Sequence, residues 1–213
     1  MCGRHGIIGD LVPHRPPGLV GLFPLGALEP VPDLQAVVVM DYQNVHLTAH
    51  ELFAISKHLP RHESLIDPVH FGNQLIIARN RAQRAGMDHA VLSRVLVYRG
   101  QPSVEHDPKP YANKVVESKG EKGIDVLCAL AVVREAQRAD VDLVILASHD
   151  SDLEPALDEA LALRSAKIET FSWYDPAQRH RIRQLRPGTG RSIWNTRLGE
   201  SEFRNCWDLT NYA

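Results

Sequence analysis

Apolar residues in this chain fall into short runs, two of them unbroken, separated by longer amphipathic stretches. Ala36 to Met40, Val91 to Tyr98, Leu143 to Ala147 and Lys167 to Trp173 read as strands. Leu143-Val144-Ile145-Leu146-Ala147 shows no apolar–polar alternation, and neither does Ala36 to Met40. A strand written this way is buried on both faces, as in the middle of a parallel sheet. Between the runs the period lengthens to that of a helix. Thr48 and Glu51 read as a capping box ahead of Leu52, Phe53 and Ile55, in a short helix stopped by Pro60. Asp67-Pro68 has the chemistry of a helix start, and Gly86 suits the position just past that helix's end. Further helices are expected from about Ile124, from the Asp152 region to about Leu163, and from Asp175-Pro176 to Pro187-Gly188.

Strands alternating with helices predict an α/β fold, a parallel sheet with helices on both faces. Residues 1–33 carry Pro13, Pro16, Pro17, Pro24, Pro30 and Pro32 and no period, so they read as an arm. Residues 34–190 form the domain. Residues 191–213, with Trp194, Phe203 and Trp207, read as an extension packed on it, with Ser201 capping a short helix. The loop 99–113 is long enough to be functional or mobile.

The 213 residues, 44% of them hydrophobic, suit one domain with a full core. A net charge of −2 leaves no global basic field, so any polyanion needs a local patch. Cys2, Cys128 and Cys206 have no metal-type spacing and read as reduced thiols in a cytosolic, cytoplasmic protein. No run approaches the ~18 apolar residues of a membrane span. Leu19 to Leu28, the nearest approach to a signal peptide, is broken by Gly21, Pro24 and Gly26.

Ligands of open α/β sheets lie outside the carboxyl ends of the strands. Acids stand there. Asp41 ends the first strand, with Asn44 three residues on. Ser148-His149-Asp150-Ser151-Asp152 follows the third, and Asp125 lies in the first turn of a helix. Two carboxylates ~5 Å apart at an effective dielectric of ~20 repel by about 3 kcal/mol. Such a set either keeps protons or shares a divalent cation, and hard oxygen ligands select Mg²⁺ or Mn²⁺. Blander roles compete for each acid: Asp152 as a helix N-cap, Asp125 as a helix-dipole partner, Asp41 as a turn closed with Asn44.

Three segments together resemble the NYN domain, a branch of the PIN-like nucleases. Val37 to Asn44 is similar to the family's first strand ending in Asp-Gly-x-Asn. Lys122-Gly123-Ile124-Asp125-Val126 is similar to its Lys-Gly-x-Asp helix start, and Ala147 to Leu153 to its Ser-Gly-Asp-Ser-Asp strand end. The likeness covers residues 36–175 in matching order. It implies a Rossmann-like three-layer α/β/α sandwich with a central, mainly parallel sheet, PIN-like, and metal-dependent ribonuclease activity. It makes Asp41, Asp125, Asp150 and Asp152 metal-site carboxylates, has Asn44 orient the first Asp or touch substrate, and has Ser148 and Ser151 shape the loop. Tyr42 and His149 stand where the family carries Gly, which bears on loop geometry and substrate access.

Other chemistries find less support. His46 and His50 have zinc-like i, i+4 spacing but no HExxH, and no GxSxG, Walker A loop or GxGxxG occurs. Lys114, Lys119 and Lys122 stand near the acids as partners for substrate phosphates, and Tyr111 reads as a base-stacking or loop-anchoring residue. Arg79, Arg81 and Arg84, and the run Arg179 to Arg186, read either as a grip on phosphates or as solvated helix faces. The expectation is a divalent-metal-dependent phosphodiesterase that cleaves RNA, an endoribonuclease. The alternatives are a catalytically silent RNA-binding or protein-docking module and a small-substrate phosphatase. No membrane partner is expected, and a homo-oligomer is compatible with the sequence.

Overall fold

The computed structural model describes residues 33–54, 58–84, 86–100, 123–163, 165–178 and 182–210. Five strands form one all-parallel sheet: β1 (Leu34–Asp41), β2 (Ala90–Tyr98), β3 (Leu143–Ala147), β4 (Lys167–Trp173) and β5 (Asn195–Leu198). Their order across the sheet is β2-β1-β3-β4-β5. The chain therefore leaves β1 in one direction toward β2 and builds in the other from β3 onward, which makes the β1/β3 boundary the topological switch point.

Helices cover both faces. Ala36, Val38 and Met40 of β1 face α1 (Tyr42–Phe53), α2 (Pro68–Ala82) and α5 (Glu200–Asn205), with Phe71, Phe171, Trp173 and Phe203 at the centre of that core. Val37 and Val39 face α3 (Ile124–Ala136) and α4 (Glu154–Leu163). β1 and β3 lie between two cores, which is why they read as continuous apolar runs. The result is the α/β/α sandwich that the resemblance implies.

Several local expectations are corrected. α1 begins six residues before Thr48, because the Asp41 carboxylate accepts from the Asn44 N–H and caps it directly. Thr48 and Glu51 are therefore interior helix residues, not a capping box. α2 is capped by Asp67 as read, but it ends at Ala82, so Gly86 at φ 85° serves the turn beyond it. No helix follows Asp175-Pro176 in residues 175–178 or 182–187. There Asp175 accepts from the Ala177 N–H and the Gln178 side chain, an Asx-type turn that competes with helix initiation. The chain beyond runs without regular structure along the start of α4, pinned by buried Leu185.

The final segment does more than pack on the domain. Its residues 195–198 add β5 to the sheet, an edge strand the pattern did not announce because only Thr196 and Leu198 are buried. α5 is capped at Gly199, whose N–H donates to Glu202, while Ser201 sits inside the helix and donates to the same carboxylate.

Candidate functional site

The carboxyl ends of β1 and β3 meet at the switch point and are tied by hydrogen bonds. Asp41, only 4% exposed, accepts from the Asn44 N–H at 3.3 Å and the Ser148 hydroxyl at 3.1 Å. The Ser148 oxygen accepts from the Asp150 N–H at 3.1 Å, and the Asn44 side-chain oxygen accepts from the His149 N–H at 2.7 Å. Asn44 and Ser148 thus act as clips that fix one strand end against the other. Asp150 accepts from the Asp152 N–H at 2.9 Å and caps the short turn Ser151–Leu153 that leads into α4. The cap expected of Asp152 is made by Asp150 instead, leaving the Asp152 carboxylate exposed. Ser151 opens that turn.

Asp125 comes from the opposite side, in the first turn of α3. Gly123 precedes it at φ 93°, a conformation that L side chains rarely adopt. A Cβ there would meet nothing within 4 Å, so the backbone angle and not crowding calls for glycine.

The electrostatics join the acids into one group. Burial, reinforced by the charges of Asp125 and Asp150, pushes the Asp41 carboxyl up to about 6. Partial desolvation and the charges of Asp150 and Asp152 hold Asp125 above the usual carboxylate range. All four acids therefore act on one another directly or through a neighbour. Among the described residues no three His, Cys, Asp or Glu side chains come close enough to enclose a metal ion. The donor set is nonetheless that of a hard divalent cation: carboxylate oxygens under mutual repulsion, with no basic side chain paired to any of the four among the described ion pairs. A divalent cation would match that charge.

The two residues that replace glycine are both accommodated. The Tyr42 ring is buried beneath α1, its hydroxyl accepts from the Ile66 N–H, and the Arg99 guanidinium lies 5.2 Å from its centroid. His149 packs on Phe171 with ring centroids 5.2 Å apart, and its Nδ1 lies 3.5 Å from the Arg183 carbonyl. Burial pushes its imidazole down to about 4, so it is neutral near pH 7.

Other residues singled out in the sequence take structural places. Arg79 is not on a polar face; it is buried and gives a bidentate pair to Glu169 of β4. Arg183 pairs with Glu154 at the start of α4. His46 and His50 are buried on α1, with His50 hydrogen-bonded to Ser64. Cys128 and Cys206 are buried thiols, and burial pushes Cys206 up to about 12. Lys114, Lys119, Lys122, Tyr111, Arg179, His180 and Arg181 lie outside the described residues. A cavity of about 500 Å³ missed by the sequence reading opens not over the acids but at the ends of β4 and β5, lined by Ser172, Tyr174, Asp175, Ile182, Gln184 and Arg197. Of these only Asp175 was singled out in the sequence, as the start of a helix.

The family described as NYN domain matches residues 35–184, which contain all four acids. A crystal structure of a protein of unknown function from Vibrio parahaemolyticus RIMD 2210633 is 18% identical, with a TM-score of 0.45 over 78% of this chain and 93% of that one. No curated protein matches the chain. No helix among the described residues is long and apolar enough to cross a membrane.

Proposed function

The chain belongs to the NYN domain family, and from that membership we propose that it is a divalent-metal-dependent phosphodiesterase that cleaves RNA as an endoribonuclease in the cytoplasm. The observation that supports this reading is electrostatic: Asp125 and Asp150 raise the proton affinity of Asp41, and Asp150 and Asp152 raise that of Asp125. Asp41, Asp125, Asp150 and Asp152 would hold Mg²⁺ or Mn²⁺. When bound, the cation supplies a nucleophile at neutral pH and offsets charge on the scissile phosphate and leaving oxygen. Asn44 and Ser148 keep Asp41 and the loop after β3 in register, so that the first ligand is rigid. One of the four acids would also take the proton of the attacking water. Lys119, Lys122 and Ser151 engage substrate phosphates.

The second reading, a catalytically silent RNA-binding or protein-docking module, is favoured by the fact that among the described residues no three His, Cys, Asp or Glu side chains stand close enough to hold a metal ion. Cleavage of a labelled RNA with Mn²⁺ and with chelator separates the two. Metal-dependent cleavage supports the enzyme, and RNA bound without turnover under any metal supports the module. A small aryl phosphate in the same assay tests the phosphatase reading. Mn²⁺ at 100 times its dissociation constant should also stabilise the fold by about 2.7 kcal/mol. An unchanged melting curve across millimolar Mn²⁺ counts against a metal site.

A further inference from the structure

We propose that the cavity at the ends of β4 and β5 is a subsite for an unstacked nucleobase of the RNA strand whose phosphate lies at the acids. The sheet register carries the argument. Asp41 is paired with Tyr98, Met40 with Ala147, Leu146 with Thr170, and Ser172 with Arg197. Continued one or two residues beyond the last paired residues, these place Tyr98, Asp41, Ser148, Ser172 and Arg197 in one row along the carboxyl edge. Strand alternation puts them on one face as well. Tyr98, Val39, Leu146 and Ile168 all pack toward α3 and α4, while Leu198 packs toward the other side and leaves Arg197 on theirs. With parallel strands ~4.8 Å apart, β5 lies about 10 Å from β3 along this row. The cavity is thus a short step sideways from the acids, on the same edge and at the same level.

Its lining has the chemistry of a base and not of a phosphate. Tyr174 is half-buried, and the Arg197 guanidinium lies over its ring, 5.1 Å from the centroid. A phenol ring and a guanidinium plane both stack on nucleobases. Gln184 brings an amide to the same cavity, and Ser172, whose hydroxyl donates to Asn195, brings an acceptor oxygen. The cavity has room at about 500 Å³ for a base with its sugar. Asp175, also in the lining, would repel a phosphate while accepting from an exocyclic amine. Arg197 is exposed and has no carboxylate partner among the described residues, so its charge is available to the strand. A base reaches such a cavity only from a single strand, since in a duplex it is stacked and paired.

This inference rests on the RNA-cleaving reading, and its test separates the two. The full-length protein in chelator is titrated with a labelled eight-nucleotide single-stranded RNA, with the same RNA as a duplex, and with an abasic ribose-phosphate chain of equal length. Tyr174→Ala should weaken the single strand about tenfold and leave the abasic chain unchanged, Arg197→Ala should weaken the single strand more than the abasic chain, and Tyr174→Phe should retain most of the affinity. Melting curves establish that each variant is folded, and exposed Arg197 serves if Tyr174→Ala is not. Unchanged affinity in the folded variants overturns the subsite, as does an equal loss for the abasic chain or the absence of RNA binding by the wild type. Mn²⁺-dependent cleavage by the same preparations reports separately on the nuclease reading. Cleavage without Tyr174 dependence leaves that reading standing alone, and Tyr174-dependent binding without cleavage leaves the subsite standing alone.

Discussion

The two ends of the sheet treat charge in opposite ways. At the amino end of the strands every buried charge has a partner. Arg79, 3% exposed, donates through Nε and Nη2 to Glu169 and through Nη1 to the Asp88 carbonyl. Glu135 is met by Arg94, with Arg134 and Arg138 close by, and Lys167 pairs with Asp88. At the carboxyl end, Asp41 is as buried as Glu169 but meets only neutral donors and two further acids. A buried pair satisfies itself and is inert, whereas a buried carboxylate facing like charge stores repulsion that a ligand can relieve. The same residue types are structural at one end and chemical at the other, and the counter-charge makes the difference.

The sharpest way to break this contrast is Asp150→Asn. Asn keeps the shape and loses the charge, so cleavage should fall by orders of magnitude while stability without metal holds or rises. Both quantities are measured on one preparation, beside Asp41→Asn and Asp125→Asn. Full cleavage by well-folded Asp150→Asn protein would sink the mechanism.

Arg79→Met should do the reverse. Glu169 is left buried and unpaired, so the fold should lose about 3–5 kcal/mol in denaturant unfolding while activity per folded molecule is kept. Adding Glu169→Leu should recover most of that loss, because removing both charges removes the penalty. A single variant as stable as the wild type would show that the pair at the amino end is not needed.

pH separates the ends more gently. With its folded value at about 6 against an ordinary 3.8, Asp41 binds its proton more readily in the folded state. Its favourable contribution is complete below about pH 4 and lost as pH rises through 6, a swing of about 3 kcal/mol at most. Without metal, Asp41→Asn should therefore gain stability over wild type as pH rises from 4 to 8. His46, which burial pushes down to about 4, opposes this in both proteins, so it cancels in their difference. A pH-independent difference would mean that Asp41 is not held against its charge.

The smallest effect concerns cations beyond the acids. Removing Lys119 and Lys122 together should reduce the salt slope of RNA binding by about 1.4, at ~0.7 per phosphate contact on a single strand. An unaltered slope would move the binding face toward Arg81, Arg84 or the Arg183 segment.

The sequence by itself determined the elements whose cause is local. Leu143–Ala147 was legible to the residue because an unbroken aliphatic run has few other places to go, and Lys167–Trp173 because Ile168, Thr170, Phe171 and Trp173 are β-branched or aromatic. Asp67 before Pro68 announced α2, and the acids were legible because each sits where a buried strand or a glycine turn stops. The resemblance implied that they share one site, and the structure shows the Asn44 and Ser148 clips that tie the ends of β1 and β3 together. What only the tertiary structure decided depended on partners distant along the chain. Arg79 and Arg81 are two residues apart on one helix, yet Arg79 is buried because Glu169, ninety positions on, faces it across the core. The stretch after Asp175 has helical composition, but a side-chain turn and the burial of Leu185 hold it along α4 instead. β5 and the cavity beside it exist only because a four-residue segment found an open sheet edge, and backbone pairing across strands leaves no period in the sequence that makes it.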